Sequence, residues 1–304
     1  MKPRVRKGKT GALAAVCLAA IYTVLSGSVP VALPSDDPPT RAVFSGLAAG
    51  GSWDLWLASA DGRFLKRAAE TPGVDERTPV LSPDRKYVAY STSRGDIRLY
   101  NLYDRAERIL QLPRTGRPSW PAWGPDAQSL YYVNVQMGKG PDEGQVWRYD
   151  LESGKASEVA DEPEVEGWPA VNGQGVLLFT TWTQSQACHL SRMKPHNKTP
   201  KLLWDQSLTL SGAALLSRGR VAAIAGDGRS QKVIILGNDG KLQREYDVAG
   251  ASGRPVSFQD GLLMTRIVEG RASIHVLDLS TGKTRPWTGA APRELIQMRD
   301  PDYR

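Results

Sequence analysis

Cysteine and histidine are scarce in this chain. Cys17 lies in an apolar N-terminal run and Cys188 in the alternating segment "ACHLSRM". No intramolecular disulfide framework is therefore expected, and the core has to supply the stability. Cys188 reads as a small apolar filler rather than a reactive thiol. The three histidines, His189, His196 and His275, fall in separate segments, and neither C-x-x-C nor H-x-x-x-H occurs. The usual zinc and redox patterns are thus missing, and no metal or cofactor is expected. The turns "GDGRS" and "GNDGK" lack the alternating carboxylates of a calcium loop. Long helical periodicities are absent as well. A basic stripe is missing too: the formal charge of +7 owes five of its positive charges to Lys2, Arg4, Arg6, Lys7 and Lys9. Beyond Asp37 the remaining basic residues are spread along the chain, so no nucleic-acid partner is expected.

What is present are turn formers, 30 Gly and 21 Pro, separating short apolar runs that alternate with period two. That grammar predicts an all-β fold. The N-terminus reads as an export segment. A basic start, "MKPRVRKGKT", precedes residues 11–33, which carry no charge. Residues 1–33 are therefore either a signal peptide, with small residues at Ser26-Gly27-Ser28 for cleavage, or a single membrane anchor. In both cases the positive-inside rule places residues after 34 outside the cytoplasm, in the periplasm or an equivalent compartment. "PSDDPPT" (34–40) reads as a stiff linker, and the folded domain is expected over 41–304.

Within that domain the same grammar recurs. Pro79 opens "PVLSPDRKYVAY", Pro121 "PAWGPDAQSLYY", Pro169 "PAVNGQGVLLFT", Ala213 "AALLSRGRVAAI" and Pro255 "PVSFQDGLLMTR", at spacings of 42, 48, 44 and 42 residues. Each copy continues into a further alternating strand and a short final run. Four strands per repeat predict propeller blades. Matching Pro301-Asp302 to Pro83-Asp84 places a sixth start at Gln297. The chain then ends, while "RAVFSG" (41–46) and "DLWLASADG" (54–62) supply the rest of that blade. The prediction is a six-bladed β-propeller, closed by the C-terminal strand joining the N-terminal blade, which removes two free edges.

The pattern P-x-W-x-P-D, followed by an apolar strand and "DIRLYNL", resembles the repeat of TolB-like six-bladed propellers. The match is good at 79–102 and 121–151, partial at 255–282 and weak at 169–240. The resemblance spans the folded region but not the separate α/β domain that TolB carries before its propeller. It implies a monomeric propeller that binds a protein or peptide of the cell envelope.

The repeated residues themselves have structural explanations. Asp84 and Asp126 follow Pro in tight turns, where a carboxylate caps backbone N–H groups. Trp123 is expected to pack between blades. "GASGR" (250–254), the nearest approach to a nucleophile elbow, lacks the final Gly and is expected in an inter-blade loop. The innermost strands, read as "TPVLS", "WPAWG", "WPAVN", "GAALL", "RPVSF" and "IQMR", offer only Arg254 and Arg299 as ionisable groups. General acid–base work needs more, so a binding module is favoured over an enzyme. The alternative is a periplasmic lyase, cyclase or hydrolase whose acidic residues come from loops 135–144 and 183–199. The loops entering the inner strands and those between second and third strands share one face. Glu76, Arg77, Arg117, Trp120, Trp168, Trp182 and Arg254 fall there. Trp and Arg dominate binding hot spots, so Arg77, Trp120, Trp168, Trp182 and Arg254 are the expected partner-binding residues.

Overall fold

The computed structural model describes residues 39–304 apart from 50, 114, 137–142, 161–164, 183–187, 196, 198, 206–207, 227–229 and 289–290. The expected export segment, residues 1–33, and most of the linker lie outside the described residues, as does His196. Among the described residues, no helix is long and apolar enough to cross a membrane.

Six four-stranded antiparallel sheets make the blades of a ring. Blade I pairs Leu295–Tyr303, Ala42–Ala48, Trp53–Ala58 and Leu65–Ala69 in that order. Blade II holds Glu76–Leu81, Tyr87–Thr92, Ile97–Asn101 and Glu107–Ile109. Blade III holds Arg117–Trp123, Ser129–Gln136, Glu143–Asp150 and Ala156–Ala160. Blade IV holds Val165–Val171, Leu177–Trp182, Cys188–Met193 and Lys201–Trp204. Blade V holds Thr209–Leu215, Val221–Gly226, Gln231–Leu236 and Leu242–Asp247. Blade VI holds Ala251–Phe258, Gly261–Val268, Arg271–Asp278 and Thr284–Pro286. The C-terminal strand pairs with Ala42–Ala48, as expected.

The core is a ring of seams. One apolar cluster fills each junction between neighbouring blades, because each sheet has two faces to bury and only its neighbours can cover them. Phe44, Trp56 and Trp287 fill the seam between blades I and VI, for example, and Val80, Trp123 and Tyr132 the seam between II and III. Trp123 is buried as expected, and its Nε1–H donates to the Val80 carbonyl at 3.0 Å. Cys188 is buried in the IV–V seam, and burial pushes its thiol up to about 11. The predicted turns form: Asp84 accepts the Lys86 amide at 3.2 Å, and Asp126 accepts the Gln128 and Ser129 amides at 3.0 Å each.

Proline inside the inner strands has a structural reason. In blade II the register skips from Arg77↔Ser91 to Val80↔Ala89, so Thr78-Pro79 form a bulge. The same skip occurs at Trp120-Pro121 and Trp168-Pro169. A bulge is where a residue without an N–H is tolerated in a paired strand. Blade I repeats it between Arg299↔Ser45 and Asp302↔Val43, around Asp300-Pro301. Pro301 is therefore the counterpart of Pro79, not of Pro83, and the expected sixth start at Gln297 lies four residues too early. This correction changes the channel. Asp300 and Asp302 belong to an inner strand, so its walls carry more than Arg254 and Arg299. "GASGR" is also corrected, since Ala251–Arg254 are part of an inner strand rather than a loop. Of the two long loops, 188–193 is strand, 135–136 and 143–144 extend strands, and 137–142 and 183–187 lie outside the described residues.

Glu76 is buried rather than presented on the loop face. Its Oε2 accepts the Leu55 amide of blade I at 2.8 Å and its Oε1 the Thr71 hydroxyl at 2.9 Å. Glu166, at the equivalent position of blade IV, accepts the Val146 amide of blade III. These carboxylates clamp neighbouring blades. Burial raises the Glu76 pKa, with the two hydrogen bonds opposing it. A carboxyl whose native pKa exceeds its unfolded one holds more protons when folded, so its contribution to stability is lost as pH rises through the native value. Glu76→Gln keeps the acceptor and should flatten stability against pH above the ordinary glutamate range. Glu76→Ala leaves the Leu55 amide unpaired and should cost about 1–3 kcal/mol. Urea denaturation of both variants from pH 4 to 8 checks this; equal costs for the two would show that the acceptor is not used.

Candidate functional site at the channel mouth

The inner strands run in one direction around the ring, so the bulges lie at one level and converge on the axis. Thr78, Trp120, Trp168 and Asp300, each preceding a Pro, have φ of 48°, 50°, 48° and 53°. Such values are costly for bulky residues and persist only where the surroundings enforce them. The enforcement here is the ring itself, since the conformation repeats from blade to blade. It turns the Trp120 and Trp168 side chains out of their sheets toward the mouth. Their rings stack with centroids 5.0 Å apart and planes 26° from parallel, and both remain half-buried.

Trp182 joins them from the second strand of blade IV. Its ring lies over Gly167, where a side chain would overlap it, and a Cβ at Gly167 would also come within 3.4 Å of Trp120. Trp182 also packs partly into the IV–V seam. The three predicted tryptophans thus form one cluster on blades III and IV. Trp120 and Trp168, but not Trp182, border a water-sized cavity of about 20 Å3 that is also lined by Pro79, Pro121, Pro169, Pro301, Arg254 and Asp300.

Arg254 enters from blade VI and crosses the channel. Its Nη1 donates to the Pro169 carbonyl at 3.4 Å and its Nη2 to Asp302 Oδ1 at 3.1 Å. The other Asp302 oxygen, Oδ2, accepts the Leu81 amide of blade II at 2.9 Å. Blades I, II, IV and VI are therefore tied across the axis by one ion pair, which stands between the mouth and the opposite end of the channel. Burial pulls the Arg254 pKa down, and the Asp302 carboxylate counters it. Arg254 serves as a plug whose side chain is 16% exposed, not as a free rim cation.

The rest of the rim is polar. Arg77 is exposed and paired with Asp75; Arg117 is exposed, its stem against Gly95. Arg299 lies 3.9 Å above the Trp53 ring, with its Nε 3.4 Å from Asp300 Oδ2. Burial raises the Asp300 pKa, against the lowering effect of Arg299 and Arg254. The mouth is thus aromatic on blades III and IV and charged on blades I and II. Arg77 pairs with Asp75 and is not among the residues lining the pocket that Trp120 and Trp168 border. Asp75, Asp300, Asp302 and Trp53 are the site residues that the sequence reading missed. The signal for two of them was available: residue–Pro steps at 78–79, 120–121, 168–169 and 254–255 align with Asp300-Pro301. Among the described residues, no group of three His, Cys, Asp or Glu side chains is placed to hold a metal ion.

No protein-family model and no curated protein sequence matches the chain. Solved structures do. TolB from Acinetobacter baumannii superposes with a TM-score of 0.72 at 17% identity, over 95% of this chain and 71% of that one. A putative TolB from Agrobacterium tumefaciens gives 0.64 at 11% identity, over 82% and 88%. A chain of a nidogen/laminin complex gives 0.69 at 12% identity, over 86% and 97%. Likeness at these identities is likeness of fold. With six blades, a ring closed by the C-terminal strand and superposition on TolB structures, the described chain is a six-bladed β-propeller of the TolB-like fold.

Proposed function

We propose that this chain is an exported, non-catalytic scaffold of the bacterial cell envelope that docks a protein or peptide over the channel mouth. The observation that carries the reading is the stacked, half-buried Trp120–Trp168 pair at the channel mouth. Two rings already held against each other lose little freedom on binding, and large aromatic faces gain most from desolvation. The TolB-like fold and its likeness to a chain of a nidogen/laminin complex support a protein-binding role. The opposite face is ringed by Ser-Pro-Asp turns and tight polar hairpins, which give a protein partner less apolar area to cover.

Replacing Trp120 and Trp168 together by Ala should weaken partner capture from envelope extract by roughly thirtyfold for each true hot spot, about 2 kcal/mol. Lys241→Ala, in an exposed turn on the opposite face, is the control. Circular dichroism checks folding. Unchanged recovery of the same partners by a folded double mutant would overturn the assignment. Export rests on the basic start and the uncharged residues 11–33. A C-terminal phosphatase fusion, active only after export, should be active; a stable but inactive fusion would refute the topology.

The second reading, a periplasmic propeller enzyme, has one observation in its favour: Asp300, a half-buried carboxyl whose pKa is raised by burial, lines the same pocket. Its neighbour Asp302 is committed to Arg254 and the Leu81 amide, which leaves no second carboxylate among the described residues lining that pocket for acid–base work.

A further inference from the structure

Beyond the Arg254–Asp302 plug the channel opens toward the opposite face as a funnel of about 220 Å3. We propose that this funnel is a second, independent binding site for a small anionic amphiphile: one apolar ring system carrying a single sulfonate or carboxylate. The wall has the shape for the ring system. Ala122, Ala170 and Ala214, on three consecutive blades, line it together with Val80 and Val256. The small residues widen one side of the taper, and the volume exceeds the roughly 150 Å3 that holds a single benzene ring. Polar groups, among them Asn172, Ser257 and Arg304, share the lining with these apolar residues, and a few placed polar groups orient a small ligand.

Arg304 supplies the head-group contact. Its backbone N–H donates to the Arg41 carbonyl at 2.9 Å, which fixes the residue beside the first strand of the fold. Its Nε stands 4.0 Å from Asp302 Oδ2, beyond hydrogen-bond distance, and a third of its side chain is exposed. Asp302 is already engaged by Arg254 and the Leu81 amide. Beyond this long ion pair with Asp302 the Arg304 guanidinium keeps donor capacity for an incoming oxyanion, and guanidinium–oxyanion bonds are the strong, oriented kind. Asn172 and Ser257 line the same funnel and add neutral hydrogen-bonding capacity. This site does not depend on the mouth or on the partner proposed for it.

The test uses two fluorescent probes of similar shape: anilinonaphthalene sulfonate, which is anionic, and N-phenylnaphthylamine, which is neutral. Wild type should bind the sulfonate saturably and more tightly than the neutral dye. Arg304→Gln should weaken the sulfonate about tenfold, the scale of one charge-assisted contact, and leave the neutral dye unchanged. Gly173→Trp places a ring at the funnel edge, where an added Cβ meets nothing within 4 Å, and should block both dyes. Ser257→Trp, at an exposed position of the funnel lining, is the second plug should the first variant fail to fold. The Trp120/Trp168 double mutant should bind both dyes as wild type does, which separates this site from the mouth. Three results would each overturn the proposal: no saturable binding of the sulfonate, an unchanged sulfonate affinity in Arg304→Gln, or wild-type binding in a folded plug variant.

Discussion

Deletion of residues 295–304 should abolish the cooperative melt and drive the protein into aggregates. The segment contributes the inner strand of blade I. Its loss uncovers the edge of Ala42–Ala48 along its whole length, and an unpaired apolar strand edge is a template for association. Leu295 and Met298 leave the I–VI seam, where both are buried. Each such side chain is worth about 1.5–3 kcal/mol of burial. The Leu81 amide also loses its acceptor and Arg254 its counter-ion, at about 1–3 kcal/mol for each unmade bond. Together these approach the roughly 5–15 kcal/mol by which a domain of this kind is stable. Differential scanning calorimetry of the truncated chain decides the matter. A transition at the wild-type temperature would mean that the ring closes without this strand.

Asp302→Ala is the single substitution with the largest expected cost, about 3–5 kcal/mol, because it strands a buried guanidinium rather than merely deleting a contact. Asp302 has 4% of its surface exposed and is bonded to blades II and VI at once. The double variant Arg254→Met/Asp302→Ala should recover much of the loss, since no buried charge is then left without a partner. Urea denaturation of the two single variants and the double gives the coupling directly. If Asp302→Ala lies within about 0.5 kcal/mol of wild type, the pair is not the tie that the geometry implies.

Much of the propeller was legible because its information is local. The Ser82-Pro83-Asp84 and Gly124-Pro125-Asp126 turns announce themselves by residue type, since an Asp carboxylate can cap the amides just after it and Pro fixes the entry angle. Short apolar runs such as "YVAYST" or "VIIL" mark strands buried on both faces, one face in each neighbouring seam. A constant spacing of such units dictates blades, and an incomplete unit at each end dictates closure. Trp123 and Cys188 were readable as core residues for the same reason.

The site was less legible, because its residues meet only through the ring. Pro83-Asp84 and Pro301-Asp302 are the same dipeptide. One makes a turn and the other sits in a bulge, and the difference is settled by the pairing of Asp302 with Val43, a partner from the far end of the chain. The misreading of that dipeptide hid two carboxylates from the channel. Glu76 looks like a surface residue beside Arg77, yet burial depends on the Leu55 amide of the neighbouring blade being there to meet it. The alternation, the turns and the repeat, all governed by neighbours within a few residues, were determined by the sequence alone. Which tryptophans stack, which arginine crosses the axis and which aspartate receives it were decided by tertiary structure, because ring closure brings together side chains from blades I, II, IV and VI that no local interaction relates.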